Sequence, residues 1–146
     1  MKVNEIMTGS VVKIHPEETV QVAARTLRQH NIGFLPVCSA DGKLCGLLTD
    51  RDLITRCVAA NLPPETTTVR QVMTGRVLSV RPDMEASAVA HLMGKEQIRR
   101  LPVVENGKLC GVVSLGDLAR WEESVMDAAD AMAEITESHR FGGENP

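Results

Sequence analysis

Two stretches of this chain, residues 7–53 and 73–118, carry nearly the same sequence, and this repeat constrains the fold more than any other feature. The matching segments are Met7-Thr8-Gly9 with Met73-Thr74-Gly75, Leu35-Pro36-Val37 with Leu101-Pro102-Val103, and Gly42-Lys43-Leu44-Cys45-Gly46 with Gly107-Lys108-Leu109-Cys110-Gly111. A repeated supersecondary unit normally cannot bury its apolar face alone and packs against its copy. We therefore expect a pseudo-twofold pair of half-domains with two related clefts, where ligands commonly bind.

The composition is that of a globular protein with an aliphatic core, because 43% of the 146 residues are hydrophobic and only 2% are aromatic. The net charge is −3 and no block of Lys and Arg occurs, which argues against a nucleic-acid partner. No apolar run reaches membrane-spanning length and the first residues lack a signal-peptide core, so we expect a cytoplasmic protein without a membrane anchor. The cysteines and histidines show no metal-ligand spacing, and we predict no metal site.

Hydrophobic patterning predicts the order strand, helix, strand, strand and helix in both copies, in a chain of α/β (α+β) class. The predicted strands are 11–14, 34–38 and 44–49 in the first copy and 77–80, 101–104 and 109–114 in the second, with helices at 20–30 and 84–96. A second helix of the first copy is expected to bury Leu53, Ile54, Cys57 and Val58. Asn106-Gly107 predicts a type I′ hairpin turn, which requires positive φ at both positions.

The segment after the second copy departs from the repeat. We place the copies at 1–62 and 63–122 and a helical extension at 123–146, with a helix that begins near Leu115 and runs without a stop signal to about Ser138. Its apolar residues alternate three and four apart, as in a helix that packs on another helix: Leu118, Trp121, Val125, Ala128, Met132 and Ile135. Two interpretations stay open. The stripe can contact a partner helix through Leu118, Trp121, Val125 and Met132, or it can fold back onto its own domain.

Both copies end their third strand in a hydroxyl residue that is followed three residues later by an aspartate. These pairs are Thr49 with Asp52 and Ser114 with Asp117. Unpaired N–H groups at the start of a helix favour anions, and a carboxylate beside them can accept hydrogen bonds from two vicinal hydroxyls, as on a ribose. The same spacing also serves helix capping, although a capping box prefers the longer Glu or Gln at the acidic position. Ligand binding and capping both remain open.

The tandem Gly-h-h-[Thr/Ser]-x-x-Asp pattern, with a Leu-Pro-Val strand and Met-Thr at the start of each copy, resembles a CBS-domain pair, also called a Bateman module. The resemblance covers about residues 5–120, and the string from Gly46 to Asp52 is typical of small stand-alone bacterial members. It implies that Asp52 and Asp117 hold the ribose hydroxyls of an adenosine ligand, with Thr49 and Ser114 close to ribose and phosphate. That ligand would be AMP, ADP or ATP, and S-adenosylmethionine is a further candidate.

The resemblance also implies where phosphate is bound. Arg99 and Arg100 stand where related modules present basic side chains to phosphate, and guanidinium groups suit phosphate oxygens. A ligand in that family often meets the aspartate of one copy and the basic pair of the other. The residues expected in the resulting cleft are Thr49, Asp52, Arg76, Val77, Arg99 and Arg100. The other cleft would hold Ser114 and Asp117 without a matching cation, so we expect the Asp52 cleft to bind more strongly. A solvated surface pair is the alternative for the two arginines.

Three functions follow in order of preference. The first is a non-catalytic regulatory module in which an adenosine nucleotide binds in the clefts between the two repeats and changes how modules associate, commonly as homodimers in this family. The second is a structural or dimerisation module with empty clefts that acts through protein–protein contacts. An enzyme ranks last, because the chain has no Walker-type glycine loop and no nucleophile–base motif. No cofactor is required beyond the nucleotide ligand.

Overall fold

The computed structural model describes residues 1–121 and 125–142 of the chain. In chain order the elements are α1 (Val3–Ile6), α2 (Val20–His30), β1 (Phe34–Cys38), β2 (Leu44–Thr49), α3 (Asp50–Leu53), a π-helix (Ile54–Val58), α4 (Val69–Val72), α5 (Ala86–Glu96), β3 (Arg100–Glu105), β4 (Lys108–Ser114), α6 (Leu115–Ala119) and α7 (Val125–Gly142). Within the described residues, β1 pairs with β2 and β3 with β4, in two separate sheets. The predicted α+β class with tandem repeats is confirmed. No helix in this part of the chain is long and apolar enough to cross a membrane.

Both hairpins form where the sequence predicts them. β1 runs antiparallel to β2 with Phe34 opposite Thr49, and a register shift follows Val37. In the second hairpin Asn106 and Gly107 have φ values of 54° and 79°, which confirms the type I′ turn. In the first hairpin, β2 ends at Thr49 and α3 begins at the next residue.

The leading strands predicted at 11–14 and 77–80 are wrong. Only Ile14 and Val80 in these segments form β-bridges, each a single parallel pairing with Val37 and Val103 respectively. They are also the only residues of their segments that are buried, whereas their neighbours are exposed or half-buried. The strand preference of β-branched residues reflects packing on a half-buried sheet surface. These two segments lack such a surface over most of their length, so each forms a β-bridge at one residue only.

The predicted inward face of the second helix in the first copy is partly wrong. Leu53 and Cys57 are buried, but Ile54 and Val58 are exposed. The helix continues past α3 as a π-helix, in which the Ala59 N–H donates to the Ile54 carbonyl at 2.8 Å. The wider π turn changes the angular spacing of the side chains, so an α-helical pattern no longer identifies the buried face.

The repeats and the compact units of the structure have different bounds. The first-repeat unit comprises Val12–Val77 and Gly107–Leu109. The second-repeat unit comprises Met1–Val11, Leu78–Asn106 and the described residues from Cys110 onward. The segment that precedes each repeat therefore packs with the other repeat, and the expected repeat bounds at 1–62 and 63–122 stay a prediction.

Main-chain hydrogen bonds hold each exchanged segment. The N–H of Thr8 donates to the Val112 carbonyl at 2.9 Å in the second-repeat unit, and the N–H of Leu47 donates to the Thr74 carbonyl at 2.9 Å in the first-repeat unit. A Cβ on Gly46 would lie 2.6 Å from the Thr74 carbonyl oxygen, and a Cβ on Gly111 would meet the Thr8 carbonyl oxygen at the same distance. Glycine is needed at both positions because the crossing backbone leaves no room for a side chain.

The expected single helix from Leu115 to about Ser138 is wrong, since α6 ends at Ala119 and α7 begins at Val125. Leu118, Ala128 and Ile135 are buried in the core of the second-repeat unit, so the interpretation that this region folds back is correct for them. A partner-helix contact through Leu118 is correspondingly wrong. Trp121 and Met132 are exposed, whereas the side chain of Val125 lies outside the described residues.

Small residues allow α7 to approach α5 closely. A Cβ on Gly94 of α5 would lie 3.2 Å from the Cα of Ala131, and Ala128 and Ala131 are both buried. Gly94 and Ala131 thus lie against one another where the helices pack.

Candidate functional site

Both strand-to-helix junctions form capping boxes. The Thr49 Oγ1 accepts a hydrogen bond from the Asp52 N–H at 3.1 Å, and the Asp52 Oδ2 accepts one from the Thr49 N–H at 3.0 Å. The corresponding distances between Ser114 and Asp117 are 3.0 and 2.8 Å. The capping interpretation is therefore correct, although the acidic residue is aspartate and not the longer Glu or Gln that a capping box prefers. The extended backbone of the cap residue brings its N–H within reach of the shorter side chain.

Capping occupies one oxygen of each carboxylate, and the other oxygen distinguishes the two junctions. The Asp52 Oδ1 accepts no hydrogen bond from the described residues, and its nearest cation is the Arg56 Nε at 3.9 Å. No fully buried side-chain oxygen in this part of the chain lacks a hydrogen-bond partner, so Oδ1 keeps some solvent exposure, and the Asp52 side chain as a whole is 12% exposed. This oxygen is an available acceptor on a negatively charged group.

Other contacts hold the Arg56 guanidinium beyond hydrogen-bond distance of Asp52, although the two form an ion pair. Its Nη1 donates to the carbonyls of Val72 and Met73 at 3.1 and 2.9 Å, where α4 ends. A guanidinium at the C-terminus of a helix is favoured because it satisfies carbonyls that have no partner within the helix. Arg56 thus supplies positive charge near Asp52 but makes no hydrogen bond to its Oδ1, which can still accept one from a ligand hydroxyl.

The second junction has no such open acceptor. The Asp117 Oδ1 accepts a direct hydrogen bond from the Nη2 of Arg120, which stands three residues later at the end of α6. Both oxygens of the buried Asp117 are therefore engaged, one by the helix cap and one by a guanidinium. The sequence predicts that the two clefts differ because only one of them has Arg99 and Arg100 for phosphate. The two aspartates differ as well, because only Asp117 has both oxygens engaged.

The eight predicted site residues fall into two groups of four. Thr49, Asp52, Arg76 and Val77 belong to the first-repeat unit, and Arg99, Arg100, Ser114 and Asp117 belong to the second-repeat unit. Within the second-repeat unit, the carbonyl of Arg99 accepts a hydrogen bond from the Leu115 N–H at 2.8 Å, which fixes Arg99 beside the start of α6. The pairing of Arg99 and Arg100 with Asp52 stays a prediction.

Sequence reasoning missed Arg56 and Arg120. They follow Asp52 and Asp117 by four and three residues, and on a helix these are the spacings at which opposite charges meet. That spacing could have identified both arginines. It could not have distinguished the direct contact of Arg120 from the redirected side chain of Arg56, because the carbonyls that hold Arg56 come from α4.

The repeat, the paired hairpins and the capped Thr/Ser-x-x-Asp junctions agree with a family model described as the CBS domain, which matches residues 3–59 and 69–124. The chain belongs to the CBS-domain family. It is 40% identical over 134 residues to the CBS domain-containing protein YhcV of Bacillus subtilis, covering 92% of this chain and 94% of that protein. It is also 35% identical over 116 residues to Hypoxic response protein 1 of Mycobacterium tuberculosis, covering 80% and 81%.

Solved structures of CBS proteins share the fold. The crystal structure of Hypoxic Response Protein I with two coordinated zinc ions matches with a TM-score of 0.76 and 34% identity, covering 82% of this chain and 98% of that one. The CBS domain pair of protein MJ0100, solved in complex with 5′-methylthioadenosine and S-adenosyl-L-methionine, matches with a TM-score of 0.71 and 30% identity, covering 82% and 94%. Within the described residues, no three His, Cys, Asp or Glu side chains are grouped to hold a metal ion.

Proposed function

We propose that this CBS-pair regulatory module binds an adenosine-type ligand, with the Asp52 carboxylate as the acceptor for the ribose hydroxyls. The single observation that carries the proposal is the open Oδ1 of Asp52, on a carboxylate whose other oxygen is fixed by the helix cap. A capped carboxylate is held in one orientation, so its remaining oxygen is preorganised for a ligand. The complex of the MJ0100 pair with two adenosine compounds supports this ligand class.

The cap and the ligand do not compete for the same atom. An ionised carboxylate has about four lone-pair sites. One of them accepts the Thr49 N–H, and those on Oδ1 remain for donors from outside the protein. Hydrogen bonds to a charged acceptor contribute about 1.5–3 kcal/mol each, enough to make this contact matter for affinity.

We propose that exposed arginines bind the phosphate or another polar group on the ribose. Arg76 belongs to the same unit as Asp52, and Arg99 and Arg100 are exposed at the start of β3. AMP, ADP, ATP and S-adenosylmethionine remain the candidate ligands, because all of them carry the ribose that Asp52 would hold. Asp117, with Ser114, would form the weaker site, since Arg120 engages its second oxygen.

We propose further that the protein acts as a cytoplasmic homodimer without catalytic activity of its own. Ile54 and Val58, on one π-helix, are 60% and 68% exposed, and apolar side chains exposed side by side favour association. The alternative of a purely structural module with empty clefts is less favoured, because it leaves the open Asp52 oxygen without a role. Sedimentation velocity tests the association, and a monomer at micromolar concentration would contradict it.

Calorimetric titration of the intact protein with AMP, ATP and S-adenosylmethionine tests the ligand proposal. Asp52→Asn is the informative variant, because asparagine keeps an oxygen for the Thr49 N–H but replaces the open acceptor by an amide donor. We expect at least about a tenfold loss of affinity, the scale of one charged hydrogen bond. Asp50→Asn is the matched control, since Asp50 is exposed and its Oδ1 accepts only from the neighbouring Arg51 N–H. Equal affinity in both variants, or no heat from the unmodified protein, would overturn the proposal.

A further inference from the structure

We propose that Arg120 is an intrinsic gate on the Asp117 carboxylate, which closes the second ribose site until the guanidinium swings away. The inference rests on the proposed function and deepens it, because it assigns a residue that sets the stoichiometry and order of ligand binding. The contact that carries it is the hydrogen bond from Arg120 Nη2 to Asp117 Oδ1. This oxygen corresponds to the one that stands open on Asp52.

The gate can move because the Arg120 side chain makes no other hydrogen bond or ion pair with the described residues. That side chain is 71% exposed, whereas the side chain of Asp117 is almost fully buried. The carboxylate is held by the helix cap and cannot turn, since its Oδ2 accepts from the Ser114 N–H at 2.8 Å. A ligand hydroxyl that approaches Oδ1 must therefore displace Arg120 and not the aspartate.

The first-repeat unit provides the contrasting arrangement. Arg56 also lies close to its aspartate, but the carbonyls of Val72 and Met73 hold its Nη1 at the end of α4. Its Nε stays 3.9 Å from the Asp52 Oδ1, beyond hydrogen-bond distance. Arg56 therefore leaves the acceptor open, and Arg120 covers it. The same ribose should therefore bind less favourably at Asp117 than at Asp52.

The consequence is ordered binding. A ligand at Asp117 must replace an ion pair that has one solvent-exposed partner, which weakens binding there by about fivefold relative to an ungated site. Asp52 would be occupied first, and Asp117 only at higher ligand concentration. A module with two such sites responds over a wider range of concentrations than one with two equal sites.

The test weakens the first site with an Asp52→Asn background, so that a change at the second site is easier to detect, and it uses 5′-methylthioadenosine as the probe. The probe carries no charge, so loss of the Arg120 cation cannot act through a phosphate. We expect Asp52→Asn/Arg120→Gln to bind it about fivefold more tightly than Asp52→Asn alone. Asp52→Asn/Arg56→Gln is the matched control and should show no gain. Arg120→Met in the same background should repeat the gain, and thermal unfolding should show that all variants fold.

The outcomes separate the gate from the function that it regulates. Binding by the unmodified protein without a gain in the Arg120 variants overturns the gate and leaves the proposed function standing. A weaker affinity in those variants also overturns it, because Arg120 would then assist the ligand. No binding of 5′-methylthioadenosine by any variant or by the unmodified protein overturns the gate. If AMP, ATP and S-adenosylmethionine also give no heat with the unmodified protein, the proposed function is overturned with it.

Discussion

The Thr49–Asp52 junction and the Ser114–Asp117 junction have the same backbone and different chemistry. Their cap residues have φ and ψ of −115° and 162° in one case and −116° and 161° in the other, and both aspartates bind the same N–H of their own cap. The arginine that follows each aspartate is directed elsewhere in the first case and onto the carboxylate in the second. The comparison teaches that a repeat can preserve a site's framework while a side chain outside the shared motif decides whether that site is open.

The two units differ also in what covers their helices. In the second-repeat unit, α7 packs on α5 and α6 and buries Ala128, Ala131 and Ile135. In the first-repeat unit, the π-helix leaves Ile54 and Val58 exposed. The terminal helix thus adds core to one unit only. The following variants test these differences.

The largest expected effect concerns the packing of α7. Ile135 is fully buried, so Ile135→Ala should lower the free energy of unfolding by about 3 kcal/mol through lost burial and a cavity. Met132→Ala, on the exposed side of the same helix, should cost less than about 1 kcal/mol. Urea denaturation measures both. Equal losses would show that α7 does not distinguish its faces as described.

The next effect tests whether the two units are built alike where the exchanged segments cross. Gly46→Ala and Gly111→Ala should each destabilise by about 2 kcal/mol, because the new Cβ would overlap a main-chain carbonyl that cannot rotate away. Gly9→Ala and Gly75→Ala are the controls, since apart from the adjoining residues no atom of the described chain lies within 4 Å of a Cβ built at either position. Chemical denaturation of the four variants gives the comparison. If only one of the crossing glycines is sensitive, the two crossings are not equivalent.

The smallest effect tests the caps. Asp52→Ala and Asp117→Ala should each destabilise by about 1 kcal/mol, because the cap N–H loses its acceptor, whereas Asn at the same positions keeps an acceptor. The difference in stability between the Ala and the Asn variant should be similar at both junctions, since the cap geometry is similar. Thermal unfolding monitored by circular dichroism measures it. A difference confined to one junction would mean that only that aspartate caps its helix in solution.

Much of this fold could be predicted because its signals are local. The hairpin turn at Asn106-Gly107 follows from residues that tolerate positive φ, and helix 20–30 was placed at the observed bounds of α2 from its spacing alone. The leading strands failed for the opposite reason. A strand needs a partner along its length, and Val77 and its neighbours find one only at Val80.

The candidate site divides in the same way. Thr49, Asp52, Ser114 and Asp117 could be located from the repeated motif, since the cap involves atoms only three residues apart. The sequence could not show whether the Oδ1 of each aspartate is bound by an arginine, because this depends on which other acceptors the arginine contacts. For Arg56 those acceptors lie sixteen and seventeen residues away in sequence.

The amino-acid sequence by itself determined the tandem repeat, the two hairpins and the positions of the two aspartates after their strands, because propensity and turn geometry act over a few residues. Only the tertiary structure decided that leading segments pack on the opposite repeat, that Ile54 and Val58 face outward, and that Arg120 rather than Arg56 covers a carboxylate. The packing of the leading segments and the position of Arg56 depend on contacts between residues distant in the chain, and a local sequence pattern does not contain the energies of those contacts.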